Sequence, residues 1–364
     1  MDTMSTAKKI LLVLGGVVVA IGLALAAACY VWGPTLSAQM TGQAKFLGKD
    51  SPQRYARTVL DLSESMGLYG DSEEFAAARA KAEEAAKGAE HQAELLDVLD
   101  QAVHAAGGKH SRLIPAETQQ PDAEEGSPTA QVGVTTVGNV AVATVPGIGR
   151  NDEIQQYADT LTSGLLEARD GGACGAIVDL RGNDGGDMGP MIAGLSPLLP
   201  DGTALEFVSR VNTSQVTVDG NAVSGGGTPL ETAGGKWEAP TAVLVDATTA
   251  SSGEATMLAF RGLDTARSFG TPTAGFASAN MLYDFPDGSV LMLTMAKDKA
   301  RTGEEFAEYP IQPDSPTSTG DEALDEAKAW LREQHGCGGV EEVQKVYNIT
   351  SSKPQGNSQH AAIL

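Results

Sequence analysis

The stretch "VLVDATTASSGEATMLAFRG" (residues 243–262) changes period halfway along. It starts as a short apolar run of the kind found in strands buried on both faces. It continues as a helical pattern. Two serines, Ser251 and Ser252, stand at the joint. Ser251 with Glu254 three residues later has the S-x-x-E form of a capping box. The same geometry suits a nucleophile. A hydroxyl at a sharp strand-to-helix turn is exposed, and the unpaired N–H groups of the first helical turn can face a developing oxyanion. This stretch alone leaves both readings standing.

Other segments repeat the alternation. "VGVTTVGNVAVATVPGIG" reads as strand, Gly-Asn turn, strand. "DEIQQYADTLTSGLLEARDGG" reads as an amphipathic helix, "GAIVDLRG" as a second buried strand and "GPMIAGLSPLL" as a helix. "MLYDFPDGSVLMLTMA" reads as a hairpin with Asp-Gly in its turn. "GDEALDEAKAWLREQHG" reads as a closing helix stopped by Gly336. Strands alternating with helices predict an α/β core of layered sheet and helices over residues 130–336. A helical subdomain is predicted over 51–115, with Leu60, Leu62, Met66 and Leu68 before a Gly stop and Leu95, Leu96, Val98, Leu99, Val103 and Ala106 on a packed face at helical spacing. A polar tail follows over 337–364, with an N-x-T sequon at Asn348 that carries little weight.

The chain has 364 residues and a formal net charge of -22, from 25 basic and 47 acidic side chains. So acidic a surface repels nucleic-acid phosphates, which excludes nucleic acid as a partner. Residues 10–32 carry no charge and are long enough to cross a bilayer as a helix. Lys8 and Lys9 precede this run, so the positive-inside rule keeps residues 1–9 in the cytoplasm and puts everything after Trp32 outside. Residues 33–50 read as a linker. A cleaved signal peptide and lipidation at Cys29 are the alternatives to an uncleaved anchor. Cys174 and Cys337 lie in the external part, where a disulfide would persist; paired and unpaired forms both fit the sequence. No spacing resembles a metal site, and no organic cofactor is implied. The sequence sets no oligomeric state.

Two more loops complete a pattern. "AIVDLRGNDGGD" (176–187) is a buried strand running into paired glycines, which let backbone N–H groups approach a ligand. "GTPTAGFASAN" (270–280) is a Gly/Thr loop after a strand. In this order and separation, the three loops resemble the tail-specific, or carboxyl-terminal-processing, serine proteases and their tricorn-core relatives. The shared motifs are Asp179-Leu180-Arg181 to Gly186, Thr249-Ala250-Ser251 to Glu254, and Gly270 to Gly275. The resemblance implies a crotonase/Clp-protease-like layered spiral core and a serine peptidase acting on peptides or proteins.

The resemblance makes Ser251 the nucleophile and gives the oxyanion hole to N–H groups of Ser252 and of Gly185 or Gly186. Many members carry a Lys base just after G-x-x-T-x-G, but Phe276 stands there, and Lys297 and Lys299 do not match. The tricorn-like branch uses a His from a Gly-x-His-Ser context. "GGKHSRL" supplies His110, with Glu308 as its orienting group and Glu304 and Glu305 behind it. Only about twenty residues separate Arg112 from Val132, too few for the PDZ domain of common members. The runner-up reading is a catalytically inactive binding protein on the same fold.

Overall fold

The computed structural model describes residues 6–119, 131–149 and 152–338. The first five residues, the sequon at Asn348 and the tail from 339 lie outside that range. In chain order, α1 (Thr6–Thr41) is followed by α2 (Pro52–Met66), α3 (Glu73–Gly88), α4 (Leu96–Gly107) and β1 (Arg112–Ile114). The core then runs β2 (Gly133–Val137), β3 (Val140–Thr144), α5 (Ile154–Asp170), β4 (Gly175–Asp179) and α6 (Met188–Leu195). A meander follows: β5 (Gly202–Ser209), β6 (Thr213–Asp219), β7 (Ala222–Ser224) and β8 (Leu230–Glu231). Next come β9 (Thr241–Val245), α7 (Ser252–Phe260), β10 (Ala266–Gly270), β11 (Ser278–Asp284) and β12 (Val290–Ala300). The chain closes with β13 (Glu305–Phe306), β14 (Ser315–Pro316) and α8 (Gly320–His335).

Two sheets organise the molecule. One runs β14-β10-β9-β4-β3-β2 and is parallel except for the β2–β3 hairpin. Its strands are apolar on both faces because both are covered. Ala176, Val178, Val243 and Val245 face a core shared with α5, α6 and α7. Ile177, Ala242 and Leu244 face α8 through Ala323, Ala327 and Leu331. The second sheet runs β1-β12-β5-β6-β7-β8, with β11 and β13 also on β12. Helices α2–α4 pack on it. Leu60, Leu62, Leu95, Leu99 and Val103 are fully buried with Tyr283, Leu291 and Leu293 of the sheet.

Local chemistry sets the helix ends. Ser51 and Ser72 accept N–H bonds from Arg54 and Phe75 at the starts of α2 and α3. Gly336, at φ 68°, ends α8. Cys174 and Cys337, 5.6 Å apart at Cα, form a disulfide that ties the segment after α8 to the start of β4.

Two expected boundaries move. The segment read as a linker from residue 33 continues as helix α1 to Thr41, with Pro34 inside it. Residues 42–44 then pair with β11: the Ala44 N–H donates to the Asp284 carbonyl (2.9 Å) and the Asp284 N–H to Gly42 (2.8 Å). Arg54 clamps the same segment. It bonds the Tyr30, Leu47 and Lys49 carbonyls and lies 3.8 Å over the Tyr30 ring. Residues 112–114, read with the helical subdomain, are strand β1 on the edge of β12. Strands β5–β8 are an addition, one the sequence pattern leaves unassigned.

Candidate active site

Strands β4, β9 and β10 are parallel neighbours, so the loops that follow them leave the same edge of one sheet. Crevices beyond the carboxyl ends of parallel strands are where α/β folds place ligands. The three loops are stitched together there. Asp246, just after β9, accepts N–H bonds from Gly182, Thr248 and Thr249. Thr249 Oγ1 donates to the Leu180 carbonyl (2.9 Å), and the Ala250 N–H to Asn183 (2.9 Å). The Ala274 N–H donates to Thr249 (2.9 Å).

Ser251 sits at the tip of the middle loop with φ 52° and ψ -118°. It is the one non-glycine residue with positive φ among the described residues. Such a backbone costs about 1–3 kcal/mol and persists only where the surroundings enforce it. The enforcing group is Glu254. Its carboxylate is fully buried and accepts the Ser251 N–H (2.9 Å), the Gly275 N–H (2.8 Å), the Phe276 N–H (2.7 Å) and the Thr273 hydroxyl. Burial pushes its pKa up; the four donors oppose that shift. Glu254 therefore joins the capping box to the third loop, a role that S-x-x-E alone does not announce.

The paired glycines divide. The Gly185 N–H is engaged by Asn183 Oδ1 (2.9 Å). Gly186, at φ 110°, has no room for a Cβ, which would overlap the Ile148 carbonyl. Its carbonyl accepts the Ser252 hydroxyl (2.7 Å). The N–H groups of Ser252 and Gly186 make no hydrogen bond within the described residues.

His110 follows α4 and is 8% exposed. Its Nδ1 pairs with Ser278 Oγ at 2.9 Å, and its ring meets Phe276 edge-on with centroids 5.0 Å apart. Burial first, then the charges of Arg112 and Lys109, lowers its pKa to about 4, so the imidazole is neutral at pH 7. Phe276, the residue standing where the Lys base of other members would be, thus touches His110 with its ring and Glu254 with its amide. No hydrogen bond joins His110 to Ser251 directly.

Glu308 is placed differently from the expectation. Its carboxylate accepts the Lys109 N–H (2.6 Å) and fixes the loop that carries His110, while the ring itself is held by Ser278. Glu304 pairs with Arg261, and Glu305 with Lys297. Lys299 pairs with Glu206. Sequence reasoning missed Ser278 as a ring partner. It lies three residues past Gly275, and only the fold brings it to a histidine 168 positions earlier.

A mixed α/β fold with a serine at a strand-to-helix turn defines the class, and the comparisons with known proteins agree with it. The profile of peptidase family S41 matches residues 136–317, and the chain belongs to that family. It is 35% identical to the nisin-resistance protein of Lactococcus lactis subsp. lactis over 84% of this chain and 92% of that one. It is 27% identical to the carboxy-terminal processing protease CtpA of Bacillus subtilis (strain 168), over 57% of this chain and 44% of that one. Among solved structures, a lipoprotein from Streptococcus agalactiae superposes with a TM-score of 0.69 at 29% identity, covering 80% of this chain and 99% of that one. The photosystem II D1 C-terminal processing protease gives a TM-score of 0.51 at 12% identity, over 76% and 97%, a likeness of fold alone. Within α1, the segment Leu14–Thr41 is long and apolar enough to cross a membrane.

Proposed function

We propose that this chain is a membrane-anchored serine endopeptidase working outside the cytoplasm. Ser251 attacks the peptide carbonyl. His110, neutral at working pH, takes the hydroxyl proton and returns it to the leaving amine. Its Nε2 makes no hydrogen bond among the described residues, which leaves that nitrogen for the proton. The Ser252 and Gly186 N–H groups receive the oxyanion; losing one such donor costs about 10²–10³ in rate. The observation that carries the reading is the strained Ser251 turn locked by buried Glu254, beside two unpaired amides. Apo geometry between base and nucleophile is often long and tightens with substrate bound.

The anchor is α1, with Lys8 and Lys9 on the cytoplasmic side. The substrate is a peptide or protein. Since a relative carries the name nisin-resistance protein, nisin is the first peptide to assay. The missing His110–Ser251 bond favours a second reading, a binding protein on the same fold. A fluorophosphonate probe separates the two. The enzyme labels and Ser251→Ala does not, whereas a binding protein labels at no pH between about 6 and 9.

A further inference from the structure

Helix α1 continues to Thr41, and the chain then turns back alongside it. The Lys45 N–H donates to Ser37 Oγ (2.8 Å), one point on that return path. Arg54, in the first turn of α2, marks its far end. It donates to the Tyr30 carbonyl (2.7 Å) and to the Leu47 (3.1 Å) and Lys49 (2.7 Å) carbonyls, so residues 47–49 stand level with Tyr30. From Thr41 back to Tyr30 is about 16 Å along the helix axis. The charge-free run of residues 10–32 ends just past Tyr30, and a hydrocarbon core of about 30 Å takes roughly 20 residues of helix. Tyr30 and Trp32 are 47% and 56% exposed and occupy the outer membrane–water boundary, where such rings collect. The returning loop reaches the same height. It reads "KFLGK" (45–49), with Leu47 60% exposed and Lys45 and Lys49 exposed on either side. Residues 42–57 carry Lys45, Lys49, Arg54 and Arg57 against Asp50 alone, in a chain with 25 basic and 47 acidic side chains.

We propose that residues 45–49 are a membrane-docking loop: Leu47 enters the acyl boundary of the outer leaflet beside Tyr30, while Lys45 and Lys49 take the phosphates of anionic lipid headgroups. The inference rests on the reading of α1 as an uncleaved membrane anchor given above. The occupant follows from continuity. The bilayer that α1 crosses stands directly against this loop, which keeps a soluble partner away from it. An exposed apolar residue between lysines has the chemistry of an interfacial element, apolar toward the tails and cationic toward the headgroups. One leucine and two lysines bind lipid weakly alone, but Arg54 ties them to the spanning helix, so they meet the surface at high effective concentration. The acidic remainder of the domain is repelled by the same lipids. Attraction at one patch and repulsion elsewhere hold the domain in one orientation on the membrane.

The test places the full-length protein in nanodiscs of phosphatidylcholine and phosphatidylglycerol whose acyl chains are brominated close to the headgroup, and follows tryptophan emission. Trp237 and Trp330 pack in the domain's core clusters, so Trp32→Phe gives the background. Adding Leu47→Trp to that variant puts a reporter at an exposed position that folding does not depend on. The bromolipids should quench roughly half or more of the reporter's emission, and further adding Lys45→Glu and Lys49→Glu should cut that quenching about twofold or more. A reporter that stays unquenched, or is quenched equally after the charge reversal, overturns the proposal. Trp32 of the unsubstituted protein separates the two failures. Trp32 quenched beside an unquenched reporter leaves the anchor standing without the docking loop, whereas Trp32 unquenched removes the anchor reading and the loop with it.

Discussion

The two halves of the candidate site are built in opposite ways. The nucleophile half is fixed by neighbours: β4, β9 and β10 are adjacent, their loops exchange backbone hydrogen bonds, and one carboxylate takes four donors. The base half comes from a distance. His110 leaves α4 on the far side of the molecule's second sheet and is held by one hydroxyl, Ser278, and one ring, Phe276. The first half is rigid by construction. The second depends on how the helical subdomain sits on β11 and β12, so substrate binding has more freedom to tighten it.

That contrast can be broken at several points. The largest effect belongs to Ser251→Ala, which should lower kcat by about 10⁶ and abolish probe labelling. His110→Ala should cost nearly as much, and the double variant no more than either alone, because the two act as a unit. A double variant clearly worse than both singles would mean that His110 works elsewhere.

Glu254→Ala strips an acceptor from four buried or half-buried donors. It should cost about 3–5 kcal/mol of stability by denaturant unfolding, as loss of one member of a buried charged network does. Gly186→Ala, which forces a Cβ onto the Ile148 carbonyl, should cost activity with less loss of stability than Glu254→Ala. Full activity in that variant would show that the glycine turn tolerates a shift.

Ser278→Ala removes only the hydrogen bond that orients the imidazole. One such bond is worth about 1 kcal/mol, so kcat should fall by roughly fivefold to tenfold with KM unchanged. A separate check lies in pH dependence. His110 binds its proton less tightly folded than unfolded. Stability should therefore be lost as pH falls from 6.5 through about 4, and labelling should persist until pH approaches about 4. In His110→Gln that loss should shrink, as pH-dependent unfolding curves would show.

Much of the nucleophile half is legible in the sequence because it is local. The change of period at residues 243–262, the paired glycines of 185–186 and the Gly/Thr loop at 270–275 each follow an apolar strand. Parallel strands deliver such loops to one edge. The meander β5–β8 was not legible. Its inward residues, such as Leu205, Val216 and Val223, are sparse among Thr, Ser and Gln, so the apolar signal is thin. The linker reading failed because helix α1 continues past its apolar run, and the residues after it dock by backbone pairing with Asp284, which leaves no mark in composition.

The amino-acid sequence by itself determined the strand-helix alternation, the sharp serine turn with its Glu three residues on, and the apolar helix at the amino terminus, since each is written in the spacing of neighbours along one continuous segment. The fold alone decided that Ser278 and not Glu308 holds the imidazole, and that Asn183 occupies the Gly185 amide. Those pairings join residues brought together by sheet register and packing, and burial sets their charge states. Neither is encoded in the order of neighbours along the chain.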